Sequence, residues 1–199
     1  MSFDPSVILL PNRIPKYACE QIIRHGISSQ PKTAVIGENE INKEKRRSNV
    51  SWFRTERWIG KWVVDGAKEV CKQVGWDTTR PEHIQFTVYH APNGHYTWHK
   101  DCYDRDQKCY IEHKDIYSRQ RKVSIVCNIT DPSEYEGGQL EIVDPSMAPD
   151  EPEENRIIKV SKDRGQVCIF PSFLFHRVTP ITKGTRYSLV CWLRGPEFR

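Results

Sequence analysis

A chain of 199 residues with 37% hydrophobic and 11% aromatic side chains is sized for one folded domain and excludes a disordered segment. Its 30 basic and 26 acidic residues are interspersed, and a net charge of only +4 is too mild to signal nucleic acid by itself. No apolar run reaches the ~18–20 residues that span a bilayer, the N-terminal stretch has no secretory pattern, and seven cysteines without a CxxC pair read as reduced thiols of the cytoplasm.

Residues 6–10 (SVILL) predict a short strand, and Pro15 opens a helix that carries Ala18, Ile22 and Ile23 and stops near Gly26. From Ser28 to Asn49 the chain is polar and predicts a mobile surface loop. Its densest part, Lys43-Glu44-Lys45-Arg46-Arg47, is either a solvated face or a contact for an acidic or nucleic-acid partner. Between 55 and 75, Trp58, Ile59, Trp62, Val63, Val70, Cys71 and Val74 mark one face of an amphipathic helix, despite Gly66. Its tryptophans serve either the core or a substrate platform.

After Pro81 the chain breaks into short β-type runs at 84–90, 95–100, 122–130, 139–143, 156–160, 166–170, 174–178 and 186–193. Gly137-Gly138 and Lys183-Gly184 read as turns before strands, and Asp150 to Glu154 as a hairpin loop. The expected fold is mainly β with flanking helices: a double-stranded β-helix, or jelly roll, over 81–199, buttressed by helical support in 1–80, as a single domain over 1–199.

Chemistry concentrates in His99-Lys100-Asp101, His176 and Arg186. On an extended strand His99 and Asp101 share a side while Lys100 points away. Two histidines and one carboxylate are the facial donor set of non-haem iron with open positions. H-x-D alone is common by chance. His176 lies in the apolar run PSFLFHRVTP, where a histidine needs a polar partner, either backbone or a metal wanting a third ligand. Arg186 opens the last strand with Ser188 facing the same way, and a guanidinium can bind a carboxylate in a bidentate fork. An acid that chelates iron through a 1-carboxylate and 2-oxo group, with its far carboxylate on Arg186, describes 2-oxoglutarate.

From about Gln85 to Leu193 the chain resembles the 2-oxoglutarate- and Fe(II)-dependent oxygenases of the prolyl 4-hydroxylase superfamily, in particular the bacterial PKHD-type hydroxylases. Tyr89 and Gly94 upstream of HKD, RKVSIVCNITDPSEYEGGQLEI and PSFLFHRVTPITKGTRYSLVCW carry the resemblance. It implies His99, Asp101 and His176 as iron ligands and Arg186 as the anchor for the distal carboxylate. Tyr89 matches a position that lines the cosubstrate pocket, with core packing as its alternative. Asn128 stands where some relatives place a cosubstrate-binding tyrosine, a departure for which Ser188 can compensate. The implied cofactors are Fe(II), 2-oxoglutarate and O2, with L-ascorbic acid as a further candidate. The implied reaction is hydroxylation of an unactivated C–H bond, with release of succinate and CO2.

Three substrate readings stay open: a prolyl residue of a peptide or protein; a free amino acid, other small molecule or nucleic-acid base; and a non-catalytic jelly-roll binding module. No membrane partner is expected, and the oligomeric state is left open. Residues 102–121 and 28–49 are candidate lids. Cys102, Cys109 and His113 fit no common zinc spacing and read as ordinary loop residues. Trp98, Tyr103 and Tyr117 are candidates for an aromatic wall, although Trp98 alternates away from the ligands toward packing, and Arg177 points away from His176.

Overall fold

The computed structural model describes residues 7–36, 40–55, 58–102, 120–148, 150–196 and 198. Strand β1 (Ile8–Leu10) precedes helix α1 (Lys16–Ser28), whose N-cap is Pro15. Ala18, Cys19, Ile22 and Gly26 form the buried stripe of α1, which ends at Ser28, two residues past Gly26. Gly26 lets the helix lie directly on the Phe86 ring: a Cβ at this position would come within 2.3 Å of it.

The segment read as a mobile loop is structured on both sides of residues 37–39, which lie outside the described set. Strands β2 (Lys32–Thr33) and β3 (Arg46–Arg47) flank it, and β4 (Asn49–Phe53) follows. Two-residue strands carry no periodicity; they exist because β4 and the later strand β6 offer them ladder partners. Residues 1–80 therefore supply strands to both sheets as well as helices. The helix expected over 55–75 is a π-turn at Lys61–Asp65 running into α2 (Gly66–Gln73). Ile59, Val63, Val70 and Cys71 are buried in the core, whereas Trp58 and Val74 are exposed.

The remaining strands are β5 (Ile84–His90), β6 (His95–His99), β7 (Gln120–Asn128), β8 (Tyr135–Gly137), β9 (Leu140–Val143), β10 (Ile157–Lys159), β11 (Val167–Pro171), β12 (His176–Val178) and β13 (Ile181–Gly195). The acidic stretch lies in the connection between the antiparallel pair β9 and β10. Lys183-Gly184 sits inside β13 and not in a turn before it. The register slips between Ile181 and Lys183, where β13 pairs with β8, and Gly184 takes φ +73, which in a sequence looks like a turn.

Antiparallel pairing gives a major sheet ordered β1-β11-β7-β13-β5-β4-β2, with β8 on β13, and a minor sheet ordered β10-β9-β12-β6-β3. Three central strands alternate strictly. Ile84, Phe86 and Val88 of β5, Val123, Ile125 and Cys127 of β7, and Leu189, Cys191 and Leu193 of β13 face the helices and form one core with Ile22 and Val63. Each such fully buried aliphatic or aromatic side chain contributes roughly 1.5–3 kcal/mol. The opposite faces present Gln85, Tyr89, Val126, Arg186 and Ser188 to the space between the sheets. There a second core of Ile142, Phe170, Val178 and Ile181 closes one end and leaves the other for polar groups.

Among the described residues no helix is long and apolar enough to cross a membrane. Cys19, Cys71, Cys127, Cys168 and Cys191 are buried free thiols.

Candidate metal centre and carboxylate pocket

His99 ends β6 and His176 begins β12, and the two are direct cross-strand partners. Val178 is then paired with Tyr96, so the β6 side of the ladder carries one extra residue. This bulge turns Tyr96 and His99 to the same side, with ring centroids 3.5 Å apart and planes within 16°. Asp101 follows β6, its backbone N–H donating to Ser172 O at 3.0 Å.

Each imidazole is oriented through Nδ1: that of His99 lies 2.8 Å from Thr97 O, and that of His176 lies 3.0 Å from Leu174 O. A carbonyl only accepts, so both Nδ1 atoms carry hydrogen, and in the neutral ring each Nε2 offers a lone pair. His99 Nε2 is 3.7 Å from Asp101 Oδ1, and His176 Nε2 is 3.4 Å from Asp101 Oδ2. The three donor atoms lie within 4.8 Å of one another. Lone pairs aimed at a buried carboxylate repel unless positive charge sits among them; a proton on His176 meets that demand for one pair, and a divalent cation would meet it for all three groups at once.

Burial alone would raise the Asp101 carboxyl, but His176, His99 and Arg121 outweigh it and hold the group well below the usual carboxylate range. Burial and the adjacent His176 press His99 down to about 3. Burial also opposes charge on His176, yet the Asp101 carboxylate overcomes it and raises that imidazole. The carboxylate is further held by Ser124, whose Oγ donates to Asp101 Oδ2 at 2.7 Å and lies 2.8 Å from Ser172 Oγ.

A cavity of about 210 Å³ runs from these three residues between the sheets to Arg186. Arg186 is 3% exposed, lies 3.3 Å through Nη1 from Ser188 Oγ, and sits over the Tyr89 ring at 5.6 Å. Among the described residues no carboxylate pairs with it. Tyr89 lines the same cavity, and its hydroxyl has no protein hydrogen-bond partner among the described residues. Burial raises the phenol against Arg46 and Arg186, so it stays a neutral donor.

Asn128 sits in a small cavity that Arg186 and Tyr135 also line. It does not line the larger one above, and its amide donates to Thr130 O at 3.0 Å and to Lys162 O. Tyr135 also faces Arg186, whose charge opposes the burial that raises its phenol, and its hydroxyl reaches Asn128 Oδ1 at 3.5 Å. Tyr135 and Tyr96 carry no sequence signal that marks them as site residues, Ser124 only its place on the β7 face of Val126 and Asn128, and Arg46 is marked only as part of the basic run 43–47.

Around the site, Lys100 points away as expected and lies over the Phe175 ring. Arg177 pairs with Glu141 at 2.7 Å and covers Trp98, which is only partly buried on the far side of the minor sheet and is not a core residue. Tyr103, Cys109, His113, Tyr117 and most of the 102–121 loop lie outside the described residues.

The profile of the 2OG-Fe(II) oxygenase superfamily matches residues 84–194, more than half of the chain, and the chain belongs to that family. A PKHD-type hydroxylase of Gloeothece citriformis is 40% identical over 73 residues, covering 37% of this chain and 29% of the relative. One from Paraburkholderia phytofirmans is 31% identical over 73 residues, covering 37% and 28%. The chain thus matches less than a third of the length of these curated relatives. Among solved structures, a Pseudomonas putida prolyl-4-hydroxylase superposes with TM-score 0.69 at 17% identity, over 95% of this chain and 92% of that one. A Trichoplax adhaerens prolyl hydroxylase, in complex with a hypoxia inducible factor peptide fragment, gives TM-score 0.72 at 16% identity, over 96% and 84%. These neighbours share the jelly-roll fold.

Proposed function

We propose that the chain is a 2-oxoglutarate- and Fe(II)-dependent dioxygenase that hydroxylates an unactivated C–H bond, with a prolyl residue of a peptide or protein as the substrate. The observation that carries this is the convergence of His99, Asp101 and His176 at one end of a cavity whose other wall is a buried, carboxylate-free Arg186. The prolyl assignment draws on the prolyl hydroxylases among the structural neighbours, one of them holding a peptide.

In this proposal His99 and His176 bind the iron through Nε2 and Asp101 through its carboxylate, with Nδ1–H bonds to backbone fixing both rings. Arg186 receives the distal carboxylate of 2-oxoglutarate, and Ser188 and the neutral hydroxyl of Tyr89 supply further contacts. When bound, iron with 2-oxoglutarate and O2 supplies the oxidising chemistry, with succinate and CO2 as coproducts. The protein orients both carboxylates of the cosubstrate, and the buried faces of β5, β7 and β13 keep bulk water from its far end. L-Ascorbic acid as accessory and a cytoplasmic setting, in keeping with the five buried free thiols among the described residues, belong to the same proposal.

Succinate release tests it, measured with Fe(II) and 2-oxoglutarate against prolyl peptides, free amino acids, other small acids and oligonucleotides. Prolyl peptides are expected to stimulate release above the uncoupled rate. Stimulation by another class alone moves the substrate assignment. No release under any condition favours the non-catalytic binding module.

A further inference from the structure

One buried charge has no part in that chemistry. Arg46 is the single buried member of the basic run 43–47, at 9% exposure. Its cross-strand partner is Tyr96, which places both side chains on one face of the minor sheet. Its Nε donates to Ser48 Oγ at 2.9 Å, its guanidinium carbon lies 4.7 Å from the centre of the Tyr96 ring, and the side chain lines the 210 Å³ cavity. Tyr96 in turn stacks on His99.

The other arginines near the site are answered. Arg121 also lines the cavity but is held by Glu82 at 2.8 Å, Arg194 shares the same carboxylate at 2.9 Å, and Arg177 has Glu141. Arg46 has no carboxylate partner within 4.0 Å among the described residues. A guanidinium carries five N–H donors, and one hydroxyl plus one ring face leave most of them unused. A buried cation costs stability unless an anion pairs with it. The cosubstrate does not answer it, because in the proposed arrangement its two carboxylates go to the metal and to Arg186 on the opposite sheet.

We infer that Arg46 is the grip for a carboxylate on the substrate, so that the carbon to be hydroxylated lies close to an acidic group. That group belongs either to a small free acid or to an acidic residue or C-terminus of a peptide. The inference rests on the site being an Fe(II)/2-oxoglutarate centre. Tyr96 then aligns the acid, with its ring between the guanidinium and the His99 imidazole in the contact chain.

The test is calorimetric binding to the full chain loaded with Mn(II) and 2-oxoglutarate, which does not turn over. Three matched pairs serve as probes: L-proline with L-prolinamide, benzoate with benzamide, and capped Ala-Ala-Pro-Glu-Ala with capped Ala-Ala-Pro-Gln-Ala. In at least one pair the acid is expected to bind tenfold or more tightly than its amide twin, which lacks the carboxylate, and the pair that responds tells free acid from peptide. Arg46→Gln should reduce that preference below threefold while 2-oxoglutarate affinity stays within twofold. Should Arg46→Gln not fold, Arg46→Lys decides: preference reduced at least threefold supports the grip, and unchanged preference overturns it. The inference is also overturned if no pair shows a preference, if the preference survives Arg46→Gln, or if that variant loses 2-oxoglutarate. Wild-type protein that takes up no 2-oxoglutarate overturns the metal-centre reading itself.

Discussion

Ser124 Oγ donates a 2.7 Å hydrogen bond to Asp101 Oδ2, so a side chain of the major sheet fixes the rotation of a carboxylate carried by the minor one. The register of the two sheets is thereby written into the donor geometry. Ser124→Ala removes the bond without touching a proposed ligand, and loss of such an outer contact weakens metal binding by roughly 10–100-fold. Mn(II) titration followed by electron paramagnetic resonance reads it directly. Unchanged affinity would mean that the backbone bond of Asp101 to Ser172 is enough to hold it.

Arg186→Ala should weaken 2-oxoglutarate binding by about 1.5–3 kcal/mol, the range for a hydrogen bond to a charged group, which is roughly 10–150-fold in affinity. Arg186→Lys should recover only part, since an ammonium cannot make the bidentate fork. Calorimetry on the Mn(II)-loaded protein distinguishes these. Near-wild-type affinity in the alanine variant removes Arg186 from the cosubstrate site.

How far the site could be read from the chain depended on whether a residue's role followed from its own strand. Arg186 and Ser188 were legible because period-2 alternation puts them on one face, and the same logic gave the helix-facing core of β5, β7 and β13. Tyr96 was not, because the β6 bulge breaks that alternation and brings it to His99. Arg46 enters from a two-residue strand whose only support is β6, and Tyr135 reaches Arg186 through the β8–β13 pairing. Long-range pairing leaves no local signature. The amide of Asn128 was legible as a strand residue but not in its direction, which the carbonyls of Thr130 and Lys162 decide.

Gly26→Ala tests the packing of α1 on the major sheet. Its methyl would come within 2.3 Å of the Phe86 ring, and overpacking of this kind costs about 1–3 kcal/mol. Phe86→Leu in the same chain should recover part of the loss, giving a non-additive double-mutant cycle in chemical denaturation. Strict additivity would show that the helix does not rest on that ring.

Thiol reactivity should divide the cysteines by burial. Burial lifts Cys19 and Cys71 to about 11 and Cys191 to about 12, and raises Cys127 and Cys168 further above the usual thiol range. A thiol near 11 is only ~0.1% thiolate at pH 8, and the thiolate is the nucleophile. Brief alkylation of the native protein at pH 8, followed by peptide mapping, should leave these five unmodified, and unfolding should expose all of them. Raising the pH toward 10 increases the thiolate fraction tenfold per unit, so slow labelling should start with Cys19 and Cys71. Rapid native labelling of Cys127 would contradict the core described above.

The anaerobic visible spectrum of the purified chain with Fe(II) and 2-oxoglutarate decides whether His99, Asp101 and His176 share one metal ion. A weak charge-transfer band should appear in the wild type and vanish in Asp101→Ala and in His176→Ala. No band together with an unshifted unfolding temperature, or an undiminished band in both variants, would contradict it.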